Sequence, residues 1–213
     1  GQDVRGPKEG PLVRRSPDPI DLHEISLDLA RLADPSLEAP LIEYLRGRFA
    51  GREPDLVVGV GGPAFQFLAR HRADLFPAAP VLSAGVAEQM LQAGAMPTNG
   101  IVVPMQVDLA GALEGILRLL PETENIAVVF GTSPVERFWK DEFRRAAEPY
   151  TDRVGFVYLD HLPLEGIRAR AASLGPKTAV FFGLLLVDAD GVPYTPEEAL
   201  EDILADAQAP VFT

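Results

Sequence analysis

Short apolar runs alternate with amphipathic segments along most of this chain, and no other feature constrains its fold as strongly. The clearest run is 56–60, which stops at Gly61 and Gly62 before a segment with apolar residues at helical spacing. The predicted strands are 24–29, 56–60, 80–83, 101–103, 126–130, 154–159 and 178–187, with a last apolar piece at 210–212. Strands that alternate with helices in this way predict an α/β fold with a mostly parallel sheet.

Capping signals and glycine stops delimit the predicted helices. The first begins at 34–36 and ends at Gly51, and the others are 63–75, 86–93, 109–120, 134–148, 163–174 and 196–207. Asp108 is the expected N-cap of a strongly amphipathic helix, and Ser133-x-x-Glu136 and Thr195-x-x-Glu198 have the spacing of capping boxes. The segment 188–191 begins like a calcium loop but lacks its later ligands, so we interpret it as a turn.

The linker 104–107 divides the repeated units into two groups of about equal size. Two small doubly wound lobes are therefore an alternative to one sheet of seven or eight strands. We expect a leader or the end of a truncated helix at 1–20, an incomplete first lobe at 21–104 and a second lobe at 105–213. Because the last apolar piece has no helix after it, we expect the natural chain to continue beyond Thr213.

Charge and composition exclude several function classes. The net charge is −12 and the pI about 4.7, which argues against binding nucleic acid or anionic membranes. There is no cysteine, so disulfides and thiolate metal sites are excluded. His23, His71 and His161 stand alone without metal-ligand spacing, and no metal site is predicted. The longest apolar run, 179–187, is too short to span a bilayer, and no signal peptide is present.

Four turns at the predicted carboxyl ends of strands contain the candidate binding residues. Ligands of open α/β sheets bind outside these ends. The candidates are Gly61, Gly62, Pro63, Ser83, Gly85, Gly131, Thr132, Ser133, Gly183 and Leu184. They offer hydroxyls, backbone N–H groups and clearance at glycine, but no general base, nucleophile or metal set. We therefore expect a domain that holds a ligand without a cofactor and without catalytic residues.

Other motifs have simpler interpretations than the activities they suggest. Residues 59–64 fit the loose dinucleotide pattern G-x-G-x-x-(G/A), but the next predicted strand ends in Ser83-Ala84-Gly85 and not in the acid that binds ribose. The sequence 131–135 lacks the second glycine of a nucleophile elbow, which leaves Ser133 as a helix cap. Phe138, Trp139 and Phe143 on one helix favour core or lobe packing over a ligand cage.

Several segments together resemble the ABC-transporter substrate-binding-like family, which has the type 1 periplasmic binding-protein fold. They are 27–31 (LDLAR), 44–46 (YLR), 54–58 (PDLVV), 71–72 (HR), 75–77 (LFP), 80–81 (PV), 119–121 (LLP) and 194–200 (YTPEEAL). The strongest likeness is to extracytoplasmic sensor domains of bacterial signal-transduction histidine kinases. The resemblance implies two α/β lobes, a small solute in the cleft between them, and closure of the lobes as the signal. The family's first strand, most of its first helix and its C-terminal return have no counterpart here.

The leading hypothesis is thus a non-enzymatic, periplasmic sensor domain, membrane-anchored in the full-length protein. Its expected solute is an amino acid or an aromatic or organic acid, held by Gly61, Gly62, Pro63, Ser83 and Gly85 on one side and by Thr132 and Ser133 on the other. A homodimer through the parent receptor is a further expectation. The alternatives are the soluble binding protein of an ABC importer, an NAD(P)-dependent enzyme, and a protein–protein module that has lost its ligand.

Overall fold

Two parallel sheets organise the chain in the computed structural model, which describes residues 20–27, 38–91 and 99–213. The elements of the first sheet are α1 (Ala39–Arg48), β1 (Val57–Val60), α2 (Gly62–Leu75), β2 (Val81–Ala87), α3 (Glu88–Leu91) and β3 (Gly100–Met105). Those of the second are α4 (Leu109–Leu119), β4 (Asn125–Phe130), α5 (Pro134–Ala147), a 3₁₀ turn (Glu148–Tyr150), β5 (Gly155–Tyr158), α6 (Leu164–Ala172), β6 (Thr178–Leu184), α7 (Pro196–Asp206) and β7 (Val211–Phe212). The strand orders are β1-β2-β3 and β5-β4-β6-β7, and every pair is parallel. The predicted two-lobed α/β fold is confirmed.

The second lobe is doubly wound. From β4 the chain steps outward to β5 and then back past β4 to β6 and β7, so right-handed crossovers place helices on both faces of the sheet. On one face α4 and α5 pack over Val128 and Phe181, and on the other α6 and α7 pack over Val129 and Phe182. Every residue of β4 after Asn125 is buried, as expected for a central strand of a parallel sheet.

Among the described residues, helices pack on only one face of the first sheet. A Cβ built on Gly59 would lie 2.7 Å from Leu68 Cδ1 and 3.8 Å from Ala64 Cβ, so α2 lies directly over this side of β1. Phe65, Phe67 and Leu68 of α2 are buried. Glu38, before α1, contacts His71 of α2 (2.8 Å) and joins the two helices.

Most predicted elements are confirmed within a few residues, and four predictions are wrong in part. Residues 24–27 form no strand although Ile25 and Leu27 are half-buried; positions 28–29 lie outside the described residues. The predicted turn at 84–85 is instead a bulge, because Gly85 (φ 65°) shifts the register while β2 continues to Ala87. The predicted helix 86–93 is consequently only α3, with 92–93 outside the described residues. The strand at 178–187 ends at Leu184.

Some predictions fall where the structure gives no answer. The leader at 1–19 and the helix start at 34–36 lie outside the described residues. Pro104, expected in the linker, is part of β3, an edge strand on which a missing N–H is tolerated. The chain passes from the first sheet to the second between Met105 and Asn125. The domain boundaries stay predictions.

Candidate functional site

An apolar cluster joins the two lobes at the carboxyl ends of their strands. Its buried members from the first lobe are Phe65, Val86, Ala87 and Met90. Half-buried Val135, Phe138 and Trp139 of α5 pack against them from the second lobe, and Val107 packs from the connection between lobes. We call this set the lobe-interface cluster. Since α2 follows β1, Val86 and Ala87 are the last residues of β2, and α5 follows β4, the carboxyl edges of both sheets border the same contact.

The sequence of α5 explains how one helix serves two cores. Phe143 and Ala147 lie on the stripe that is buried against its own sheet, together with Glu136. Phe138 and Trp139 lie on the adjacent side, and their rings pack edge to face with centroids 5.4 Å apart. Trp139 contacts both the core of its own lobe and the lobe-interface cluster. The prediction that these three aromatic residues pack in cores and between lobes is confirmed.

The glycine turn after β1 lies at the rim of this cluster. Gly61 has φ 84°, and its N–H donates to the Ala84 carbonyl (2.8 Å), so this donor is already used. A Cβ on Gly62 would collide with the Met90 sulfur, so the missing side chain allows close approach within the protein. Pro63 is half-buried at the start of α2. The N–H groups of Gly62 and Ala64 have no hydrogen-bond partner among the described residues, but Gly62 is buried against Met90, and only Ala64 is partly exposed.

The other two first-lobe candidates differ in accessibility. Ser83 is fully buried under α2, its Oγ lies 3.7 Å from a Cβ built on Gly59, and it has no hydrogen-bond partner in the described part of the chain. Gly85 is exposed at the bulge of β2, and a Cβ built there would lie 3.9 Å from the Gly61 nitrogen. Gly85 is therefore beside Gly61, whereas Ser83 is below the surface that a solute would touch.

In the second-lobe turn (131–133) the polar groups form hydrogen bonds to residues of the same lobe. The Gly131 N–H donates to Leu184 (2.9 Å), and the Thr132 N–H donates to the Val187 carbonyl (2.8 Å). The Thr132 hydroxyl donates to the Asp188 carbonyl (2.9 Å). The Ser133 hydroxyl accepts from the Glu136 N–H (3.4 Å), which confirms Ser133 as the N-cap. The crevice between β4 and β6, where connections leave in opposite directions, is thereby closed by the chain itself.

Gly183 and Leu184 take part in the same closure. A Cβ on Gly183 would collide with the Phe130 ring, so glycine lets β6 lie flat against the end of β4. Leu184 is half-buried against the core under α5, and its carbonyl accepts from Gly131. For these two residues, as for the other eight candidates, the ligand-binding role stays a prediction.

Glu136 organises this end of the second lobe and was not among the candidates. Its carboxylate is fully buried and accepts hydrogen bonds from the backbone N–H groups of Ser133 (2.8 Å), Val187 (3.4 Å) and Leu186. One acidic side chain therefore completes the capping box of α5 and fixes the segment after β6. The capping-box spacing identifies Glu136 in the sequence, but the contact with residues 50 positions later has no local signal.

A second buried carboxylate, Asp188, fixes the loop that follows. It accepts from Tyr194 Oη and from the N–H groups of Leu164, Asp190 and Val192, at 2.9–3.1 Å. Burial raises the pKa of Asp188, but these hydrogen bonds to the charged form lower it by more, so the pKa lies below its usual value. The predicted turn at 188–191 is confirmed, with Gly191 at φ 81°.

Lys140 and Asp160 form a mostly buried ion pair at the carboxyl end of β5. Lys140 Nζ lies 2.6 Å from Asp160 Oδ2, and the side chains are 13% and 23% exposed. Asp160 is thus paired with a residue of α5, while its neighbour His161 is exposed. No local pattern in the sequence predicts this pairing, because Lys140 and Asp160 are 20 positions apart.

Comparison with known proteins identifies similarity of fold only. No family model and no curated protein matches the sequence. Among solved structures, a conserved domain protein from Vibrio cholerae has a TM-score of 0.53 and 19% identity, over 82% of this chain and 57% of that chain. The chain shares the fold of that protein. It therefore spans little more than half of the Vibrio cholerae chain.

Two further solved structures are similar over part of the chain. An ABC domain from Streptococcus pneumonia, in complex with L-Trp, has a TM-score of 0.49 and 17% identity, over 83% of this chain and 76% of that one. A ligand-free, open substrate binding protein with adhesive properties from Clostridium difficile has a TM-score of 0.45 and 20% identity, over 67% and 49% of the two chains.

Proposed function

We propose that this chain is an extracytoplasmic small-solute-binding domain that serves as the sensor of a membrane histidine kinase. The lobe-interface cluster supports this proposal most directly, because elements at the carboxyl edges of two separate sheets meet there. Ligands of parallel α/β sheets bind at those edges. The family resemblance in the sequence, from 27–31 to 194–200, points to the same arrangement.

In this proposal the described conformation is the closed state, in which the protein's own side chains fill the space between the lobes. Phe138, Trp139 and Met90 occupy the space between the lobes, so a solute binds only when the lobes part or these side chains turn away. The apparent affinity is then the intrinsic affinity reduced by the fraction of open molecules. A solute that replaces aromatic packing has an apolar or aromatic body, and the unpartnered, partly exposed N–H of Ala64 in the first turn of α2 suits an anionic or carbonyl end.

Binding without turnover is part of the proposal. The side chains of the lobe-interface cluster are apolar, and Gln89 beside it donates to the Val107 carbonyl (3.0 Å). The buried carboxylates of Glu136 and Asp188 accept hydrogen bonds from backbone N–H groups and, at Asp188, also from Tyr194 Oη. The role as the soluble binding protein of an ABC importer uses the same site and a different readout. Every helix in the described part of the chain is too short or too polar to span a bilayer.

A thermal-shift panel of amino acids and of aromatic and aliphatic carboxylic acids tests solute binding. The expected result is a concentration-dependent rise of the unfolding midpoint with at least one compound. A Phe138→Ala variant should bind that compound with changed affinity, whereas Leu204→Ala on the outer side of α7, 51% exposed, should bind it like the wild type. No shift with any compound, or equal affinity in both variants, would contradict the proposal.

The filled interface also favours a second candidate, a protein-binding module whose lobes no longer open. In that case Phe138→Ala and Trp139→Ala leave a permanent cavity and lower stability, and no solute raises the midpoint. A solute-binding domain instead regains the lost stability when its ligand is added. The pair of measurements therefore separates the two candidates.

One observation from the structure favours the alternative of an NAD(P)-dependent enzyme. Because β2 extends to Ala87, the acidic Glu88 follows the second strand directly, where a ribose-binding acid is found in dinucleotide sites. Against it, Gly62 is packed on Met90 at the place where a pyrophosphate would approach. Titration with NADH tests it: saturable binding that is lost in Gly61→Val would favour the enzyme over the sensor.

A further inference from the structure

One face of the first sheet is an uninterrupted apolar surface within the part of the chain that the structure describes. The strands are in register, so Val58, Leu82 and Ile101 form one row across the sheet and Val60, Ala84 and Val103 form the next. Met105 extends the surface along β3. We call these seven residues the bare sheet face. Its outer members are 46–74% exposed, and Val60 is the most exposed of them.

The path of the chain explains why α2 and α3 leave this face open. The steps from β1 to β2 and from β2 to β3 go in the same direction. Right-handed crossovers in one direction place their helices on the same side of a sheet, and α2 lies on the side of Gly59 and Ser83. Parallel sheets are normally covered on both faces, so a surface of this kind calls for a partner.

The size and the charge of the bare sheet face favour a second copy of the same chain. Five exposed aliphatic side chains with Leu82 and Ala84 between them present roughly 600 Å² of apolar surface, the upper limit for the largest patch of a typical monomer. Two such faces would bury about 1,200 Å² together, which reaches the range of specific interfaces. None of the seven residues is charged, so two chains of net charge −12 meet there without opposing like charges at the contact.

We propose that the bare sheet face is a self-association surface through which two copies of this chain form a two-fold symmetric dimer. The two sheets stack face to face, with the rows of one copy against the rows of the other. The sheet edges and the lobe-interface cluster stay outside this contact. The proposal is independent of the solute and of the sensor role.

Sedimentation velocity of the 213-residue chain over a range of concentrations tests the dimer. The wild type should show a concentration-dependent dimer. Val60→Asp should raise the dimer dissociation constant about 100-fold, because each copy buries an unpaired carboxylate. Leu119→Asp is the matched control: Leu119 is 67% exposed on α4, a helix of the second lobe, and the variant should dimerise like the wild type.

Cross-linking identifies the face directly. Because the chain has no cysteine, Val60→Cys and Leu119→Cys each introduce a single thiol, and a short bis-maleimide should join only the Val60→Cys copies. The unfolding midpoints of dilute Val60→Asp and Leu119→Asp should be similar, which shows that the first is folded. A wild type that is monomeric at every concentration, or a dimer that Val60→Asp does not weaken, would overturn the proposal.

Discussion

Gly62 and Met90 are in direct contact at the edge of the lobe-interface cluster, and a methyl group on Gly62 would overlap the Met90 sulfur. Gly62 has no left-handed backbone to maintain, so its side-chain size is the only constraint. The glycine that resembles part of a phosphate-binding turn is therefore explained first by packing. This relationship can be tested without any knowledge of the ligand.

Gly62→Ala should lower the free energy of unfolding by about 1 kcal/mol, because Met90 must move in a filled cluster. In Met90→Ala the same change should cost much less, which a double-mutant cycle in urea measures. Gly115→Ala is the control, since a Cβ there meets nothing within 4 Å and alanine favours the helix α4. If Gly62→Ala is as stable as Gly115→Ala, the contact does not constrain position 62.

Glu136→Gln should lower the free energy of unfolding by roughly 2–4 kcal/mol, since its carboxylate accepts three backbone hydrogen bonds in a buried position. A glutamine places an N–H₂ group against backbone donors. Chemical denaturation gives the value, and Glu197→Gln, an exposed residue in the first turn of α7, is the matched control. Equal losses in both variants would show that Glu136 does not hold the segment after β6.

The stabilising contribution of Asp188 should be lost in acid. Its folded-state pKa lies below the ordinary value of about 4, so the carboxylate contributes stability above that pH and loses the contribution as the pH falls through the lower folded pKa. The advantage of the wild type over Asp188→Asn should therefore be largest near neutral pH and shrink below about pH 4. Urea unfolding of both proteins from pH 7 to pH 3 measures it, and a constant difference would contradict the assignment.

Ser83→Ala should leave the free energy of unfolding unchanged or raise it by about 1 kcal/mol. The Ser83 hydroxyl is buried without a hydrogen-bond partner in the described part of the chain, and its removal ends that desolvation penalty. Ser133→Ala, which removes an N-cap, should instead cost about 1 kcal/mol. A clear loss of stability in Ser83→Ala would reveal a partner for this hydroxyl.

Local signals predicted the helices and strands well because they depend on neighbouring residues. The capping pair Ser133–Glu136, the N-cap Asp108 and the alternation of apolar runs all lead to the observed elements. Gly85 was misread as a turn, since a glycine with positive φ fits both a turn and a bulge and only the pairing with β3 decides between them.

The site was harder to predict because the hydrogen-bond partners of its polar groups lie far away along the chain. Thr132 and Gly131 looked free in the sequence, but Val187 and Leu184 accept their hydrogen bonds from 53–55 positions away. The sequence did single out Phe138 and Trp139 as packing residues. That Met90 and Val86 complete their cluster depends on how the two lobes meet.

The fluorescence of Trp139 reports on solute binding between the lobes, because Trp139 is the only tryptophan of the chain and lies in the lobe-interface cluster. The measurement is a titration of its emission with each compound that raises the unfolding midpoint. A solute that binds between the lobes should change the emission saturably, with the same dissociation constant that calorimetry gives. Saturable binding in the calorimeter with no change in Trp139 emission would place the ligand elsewhere and exclude a solute site between the lobes.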